Sequence, residues 1–114
     1  MKKSKRPWGN YTVILEDTNF KLKLIEVEPG ERLSYQFHNK RSEVWTIIEG
    51  MGEVIIDGDK INMKYGDSIK IKKNSKHRIS NNSDNKLKFI EVQTGTYFGE
   101  DDIVRIEDDY NRIK

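Results

Sequence analysis

Glu43-Val44-Trp45-Thr46-Ile47-Ile48-Glu49-Gly50-Met51-Gly52-Glu53-Val54-Ile55-Ile56-Asp57-Gly58 reads as two short apolar runs, joined at Glu49-Gly50-Met51-Gly52 and stopped by Asp57-Gly58. An Asp-Gly pair after a run of Val and Ile signals a hairpin, because both central positions of a type I′ turn need positive φ. Downstream the same pattern predicts strands at Lys60 to Met63, Ser68 to Lys72 and Lys76 to Ser80, with Gly66 and Asn74 at turns. Asn81 to Asn85 is a polar turn cluster, Lys86 to Gln93 another strand, and Gly99 to Arg105 one more strand or a short turn. Upstream, Phe20, Leu22 and Leu24 alternate with Lys21 and Lys23 before Ile25 and Val27 take over the apolar phase. That shift predicts a bulge or change of face, and it sets both lysines toward solvent unless a barrel lumen lies on their side. After the turn at Pro29-Gly30, Leu33 to His38 places Ser34, Gln36 and His38 on one face of a strand. Many short strands without a periodic helix predict an all-β sandwich or barrel.

Composition excludes several classes of function. The 114 residues include no cysteine, which removes disulfide frameworks, thiolate catalysis and cysteine-bearing metal sites. A net charge of +2 supplies no broad field for nucleic acid or an anionic membrane. No apolar run approaches the roughly 18 residues of a membrane span, so a cytoplasmic location is expected. The one basic run, at the start, reads as a solvated N-terminal arm over residues 1–5, followed by a single domain over 6–114.

There are only two histidines, so any metal site must complete its ligands with oxygen donors. Gln36 and His38 share a strand face, Glu43 opens the next strand, and His77 lies on a later one that a barrel could bring alongside. Imidazole nitrogen with carboxylate and amide oxygen suits Zn, Fe, Mn, Co or Ni. The spacings from Gly30 through Gln36, His38 and Glu43 to Gly50, and from Gly66 through Asn74 and His77 to Asn81, resemble the two motifs of the cupin superfamily. That resemblance implies a double-stranded β-helix, a jelly-roll-like barrel around one divalent metal ion.

Longer strings carry a closer resemblance. Arg6-Pro7-Trp8-Gly9, Leu33 to His38, Arg41 to Trp45, His77 to Asn81 and Glu91 to Arg105 are similar to the C-terminal cupin domain of type II mannose-6-phosphate isomerases, usually found behind a mannose-1-phosphate guanylyltransferase domain. The resemblance implies Gln36, His38, Glu43 and His77 as metal ligands, with zinc the first expectation. It also implies a metal-dependent isomerase converting mannose 6-phosphate to fructose 6-phosphate. Glu100, Asp101 and Lys21 are then the candidates for moving the proton, and Arg105 followed by Arg78 the candidates for binding phosphate. Asn39, Lys40 and Val44 stand where the family commonly has further histidines. Cupins often pair, so a homodimer is expected, with a small-molecule sugar phosphate as ligand. Two rival functions remain open on the sequence: a metal-bearing module that binds a sugar phosphate without turnover, and an Fe(II) dioxygenase using the same donors.

Overall fold

The structure, a computed structural model, describes residues 2–112. Met1, Ile113 and Lys114, at the ends of the expected arm and domain, lie outside the described residues. Among the described residues eleven strands follow in order: β1 Lys3–Arg6, β2 Gly9–Glu16, β3 Phe20–Val27, β4 Tyr35–Phe37, β5 Arg41–Glu49, β6 Met51–Ile56, β7 Asp59–Lys64, β8 Ser68–Ile71, β9 His77–Ser80, β10 Leu87–Gly95 and β11 Val104–Glu107. A six-stranded sheet, β1-β2-β3-β10-β5-β8, packs on a five-stranded one, β11-β4-β9-β6-β7. The expected all-β, double-stranded β-helix is therefore what forms, and no helix among the described residues is long and apolar enough to cross a membrane.

The turns follow from residue chemistry. Asp57 and Gly58 have φ of 48° and 88°, as the β6–β7 hairpin requires. Asn74 takes φ 67° just before β9, a left-handed conformation that its short polar side chain tolerates.

Register explains the odd apolar pattern of β3. Ile25, Phe89 and Ile47 form one row across β3, β10 and β5; Lys23, Glu91 and Trp45 form the next; Lys21, Gln93 and Glu43 the one after. All three rows face the lumen. Lys21 and Lys23 thus point inward, because the lumen lies on their side, and Leu22 and Leu24 take the outer face. The expected bulge is absent from β3; register shifts lie in β2 between Val13 and Leu15 and opposite Lys88 and Phe89 of β10, where β5 carries the extra residue Ile48. What changes along β3 is the chemistry of the lumen, not the direction of the strand.

The basic arm also differs from expectation. Lys3–Arg6 pairs with β2 as an edge strand, with Lys3 and Lys5 exposed. Alternating polar residues suit an edge whose outer side meets water.

Candidate metal and anion site

Three strands bring the expected ligands together at one end of the lumen. Glu43 stands near the start of β5, His77 opens β9, and His38 follows β4 directly. His38 Nδ1 lies 3.7 Å from Glu43 Oε2, and His77 Nε2 lies 3.9 Å from Glu43 Oε1. The three side chains offer ligand atoms within 4.8 Å of one another, and all three are buried. Gln36 pairs across the β4–β9 register with His77, so its side chain shares that face; its Oε1 accepts a hydrogen bond from the Ser34 hydroxyl.

Partners fix the orientation of each group. His77 Nδ1 donates to the Ser75 carbonyl at 2.8 Å, which leaves the lone pair on Nε2 facing Glu43. Glu43 accepts from Arg41 Nε at 2.8 Å and from Trp45 Nε1 at 3.0 Å. The same indole donates to Glu91 Oε1 at 3.0 Å, and Gln93 Nε2 donates to Glu91 Oε2 at 2.7 Å. Burial, then the charge of Arg41 and the neighbouring His77, pushes the His38 imidazole down to about 3. His77 is lowered as well, chiefly by burial. Both rings are therefore neutral near pH 7, the form that binds metals. His38 Nδ1 and His77 Nε2 are buried without a hydrogen-bond partner. A buried polar group left unpaired costs about 1–3 kcal/mol. Two such nitrogens facing one carboxylate fit a divalent cation.

Beside this triad lies a cavity of about 70 Å³ lined by Arg6, Lys23, Arg41, Arg105 and Arg112, against only Glu91 and Glu100 among the acids. Burial, followed by the nearby Glu43, pushes the Glu91 carboxyl up to about 7, so part of its negative charge is lost at neutral pH. The surplus of cations suits an anion, and guanidinium groups suit phosphate oxygens in particular. Glu100, half exposed, lies 3.2 Å from Lys23 Nζ and 4.0 Å from both Arg6 and Arg41. Burial pushes its carboxyl up, but Lys23, Arg41 and Lys21 outweigh that and hold it below its ordinary value. A carboxylate so held is a weak base.

The other expected site residues divide. Arg105 pairs in register with Gln36 and lines the cavity. Arg78, next to His77 on β9, must point to the opposite face; it is buried there with Nε donating to the Leu33 carbonyl and Nη1 3.8 Å from Glu107. It therefore does not reach the cavity. Asp101 is exposed and accepts from the Tyr97 hydroxyl, which takes it out of the site. Lys21 faces inward but lies 4.0 Å from Glu16 and does not line the cavity. Asp102 accepts from the backbone N–H groups of Asn39 and Lys40, pinning the segment after His38.

Sequence reasoning missed Lys23, Arg41, Glu91 and Gln93 as site residues. The signal was legible in β10, where Leu87, Phe89, Glu91 and Gln93 occupy one face and switch from apolar to polar halfway along.

Known proteins share this architecture. A Klebsiella pneumoniae protein described as an uncharacterized conserved protein with a double-stranded β-helix domain superposes with a TM-score of 0.74 at 23% identity, covering 84% of this chain and 82% of that one. Among sequence relatives, the mannose-1-phosphate guanylyltransferase of Escherichia coli K12 is 41% identical over 108 residues, covering 95% of this chain and 23% of the relative. The alginate biosynthesis protein AlgA of Pseudomonas aeruginosa is 42% identical over 107 residues, covering 94% of this chain and 22% of the relative. This chain thus spans less than a quarter of the length of these enzymes.

These matches overturn the expected conversion of mannose 6-phosphate to fructose 6-phosphate. The relatives bear the names of guanylyltransferases and of alginate and xanthan biosynthesis proteins, not of isomerases. The family described as "Mannose-6-phosphate isomerase C-terminal" matches residues 1–108, and the chain belongs to it.

Proposed function

We propose that this chain is a metal-holding module that binds a mannose phosphate, serving enzymes of the guanylyl-transfer or polysaccharide-building kind for which its relatives are named. One observation carries the reading: two unpaired, buried imidazole nitrogens face Glu43 directly beside a cavity lined by five cationic side chains. His38, Glu43 and His77 would hold the ion, with Gln36 as a fourth ligand. Zinc suits this nitrogen and oxygen set, as do Mn, Fe, Co and Ni. Such an ion supplies Lewis acidity toward an oxygen of the bound ligand. The arginines and Lys23 neutralise the phosphate, and Glu100 yields its cations to it. The cations face a small cavity instead of forming an exposed stripe, so nucleic acid and membrane have no part in this reading. A cytoplasmic location belongs to it too.

We propose a homodimer as well. The outer face of the six-stranded sheet carries Leu15, Leu22, Val92 and Val44 in one row, and Leu15 and Val44 are 51% and 37% exposed. Pairing of two copies there would cover it.

The test is metal content by mass spectrometry together with calorimetric titration of mannose 6-phosphate, mannose 1-phosphate and mannose. About one divalent ion per chain, with either phosphate binding far more tightly than mannose, is expected. Equal binding of mannose and its phosphates would overturn the anion site. Deuterium entering C2 of mannose 6-phosphate in heavy water would overturn binding without turnover.

A further inference from the structure

Arg41 occupies an unusual place. It is buried at the start of β5, donates Nη2 to His38 Nε2 at 2.9 Å and Nε to Glu43 Oε2 at 2.8 Å, and lines the anion cavity. A resident side-chain cation therefore grips two of the three residues that would hold a metal. Its remaining nitrogen, Nη1, is buried without a hydrogen-bond partner and lies 4.0 Å from Glu100 Oε2.

The hydrogen bond to His38 constrains that ring. Guanidinium only donates, so Nε2 must be the acceptor, and the single proton of the neutral imidazole then sits on Nδ1. Nδ1 is the atom aimed at Glu43. A metal needs an unprotonated nitrogen there. Once Nδ1 bears the ion, the proton belongs on Nε2, and Nε2–H meets Arg41 N–H with no acceptor between them. Glu43 Oε2, shared with Arg41 Nε, is contested in the same way. Repulsion between a guanidinium and a divalent ion on common ligands acts in the same direction in this buried setting.

We propose that Arg41 and the metal exclude one another at His38 and Glu43, and that the displaced guanidinium turns into the cavity to complete the phosphate site. Metal and phosphate then bind cooperatively, each tightening the other by the same factor, as linkage requires. In the metal-free protein Arg41 Nε and Nη2 are committed to Glu43 and His38, so of this guanidinium only Nη1 is free for phosphate. This inference rests on the metal site proposed above.

The test uses the full chain stripped of metal, Co²⁺ followed by its absorption bands, and inorganic phosphate followed by calorimetry. In the unaltered chain, phosphate affinity is expected to rise about tenfold on Co²⁺ loading, within the usual range of site-to-site coupling. In Arg41→Met, Co²⁺ should bind several times more tightly than in the parent, and phosphate affinity should no longer depend on Co²⁺. Arg41→Gln, which keeps a donor near Glu43 but no charge, should behave alike and serves if the Met variant fails to fold. Weaker Co²⁺ binding in these variants, or coupling that survives in them, would overturn the exchange. Phosphate binding indifferent to Co²⁺ in the unaltered chain would do the same. Absence of any Co²⁺ uptake by the unaltered chain would instead remove the metal reading, and the exchange with it.

Discussion

The lumen has two halves built from the same strands, and they differ in everything except geometry. At one end β3, β5, β9 and β10 contribute Ile25 and Val27, Ile47, Ile79, and Leu87 and Phe89, all buried in one apolar cluster. At the other end the same faces of the same strands contribute Lys23, Glu43 and Arg41, His77, and Glu91 and Gln93, also buried. Trp45 stands at the boundary, its ring 5.1 Å from Phe89 on one side while its N–H bridges Glu43 and Glu91 on the other. Burial of hydrocarbon stabilises the first half by about 1.5–3 kcal/mol per large side chain. Desolvation makes the second half costly unless every charge finds a partner. The apolar half thus carries the stability that lets the polar half exist.

That division can be broken at either end. Phe89→Ala should cost about 3–5 kcal/mol, read as a lower midpoint in urea, because it removes a buried aromatic ring and leaves a cavity. Metal uptake by the remaining folded protein should be unchanged. A loss below about 1 kcal/mol would show that the apolar half is not what holds the barrel. His77→Ala should do the reverse. It should abolish metal uptake and with it the stabilisation a metal confers, about 2.7 kcal/mol when the ion is at a hundred times its dissociation constant. The metal-free variant should lose less than Phe89→Ala but still some stability, since it empties a buried ring position and removes the Nδ1 hydrogen bond to Ser75.

The two halves should also answer differently to pH, because only one of them titrates. His38 has a folded value near 3 against an unfolded value of about 6.5, so below pH 6.5 the unfolded chain takes up protons that the folded chain refuses. His77 is lowered in the same sense. Metal-free stability should fall as pH drops from about 6.5 toward 3. Glu91 works oppositely. Its folded value near 7 lies above the usual carboxyl range, so its contribution is complete below about pH 4.5 and is lost as pH rises through 7. Glu91→Gln should therefore remove the fall in stability between about pH 4.5 and 7 and leave the fall toward pH 3 in place. Urea midpoints measured from pH 4 to 9 would read both changes, and an unchanged slope between pH 4.5 and 7 in the variant would show that Glu91 is ionised throughout.

How far the sequence could be read follows from the same division. The apolar half announced itself through alternating Val, Ile and Phe, and the Asp57-Gly58 hairpin and the left-handed Asn74 were legible as turn chemistry. The candidate metal triad was legible because it uses both histidines of the chain and because motif spacing singles out Glu43. The charged lining was not. Lys21 and Lys23 look like a solvent face to any rule that equates lysine with water, and only the neighbouring strands in the sheet show which side is the lumen. Arg78 failed for the opposite reason: closeness in sequence to His77 suggested closeness in space, yet on a strand one residue is enough to reverse the direction of a side chain.

That one-residue rule gives the smallest effect and the finest test of the comparison. Arg105 lines the cavity by its register with Gln36, whereas Asp101, in the loop before β11, turns outward to Tyr97. Both were singled out by the same stretch of sequence, so geometry alone separates them. Arg105→Gln should weaken inorganic phosphate binding about tenfold, equivalent to about 1.4 kcal/mol, because it removes a charge-assisted donor. Asp101→Asn should change that affinity by less than about twofold, since an exposed carboxylate outside the cavity acts through screened solvent. Calorimetric titration of both variants reads the difference directly. Equal losses would mean that phosphate senses the charge of the whole loop and not the cavity, and the boundary drawn between the two halves of the lumen would then lie in the wrong place.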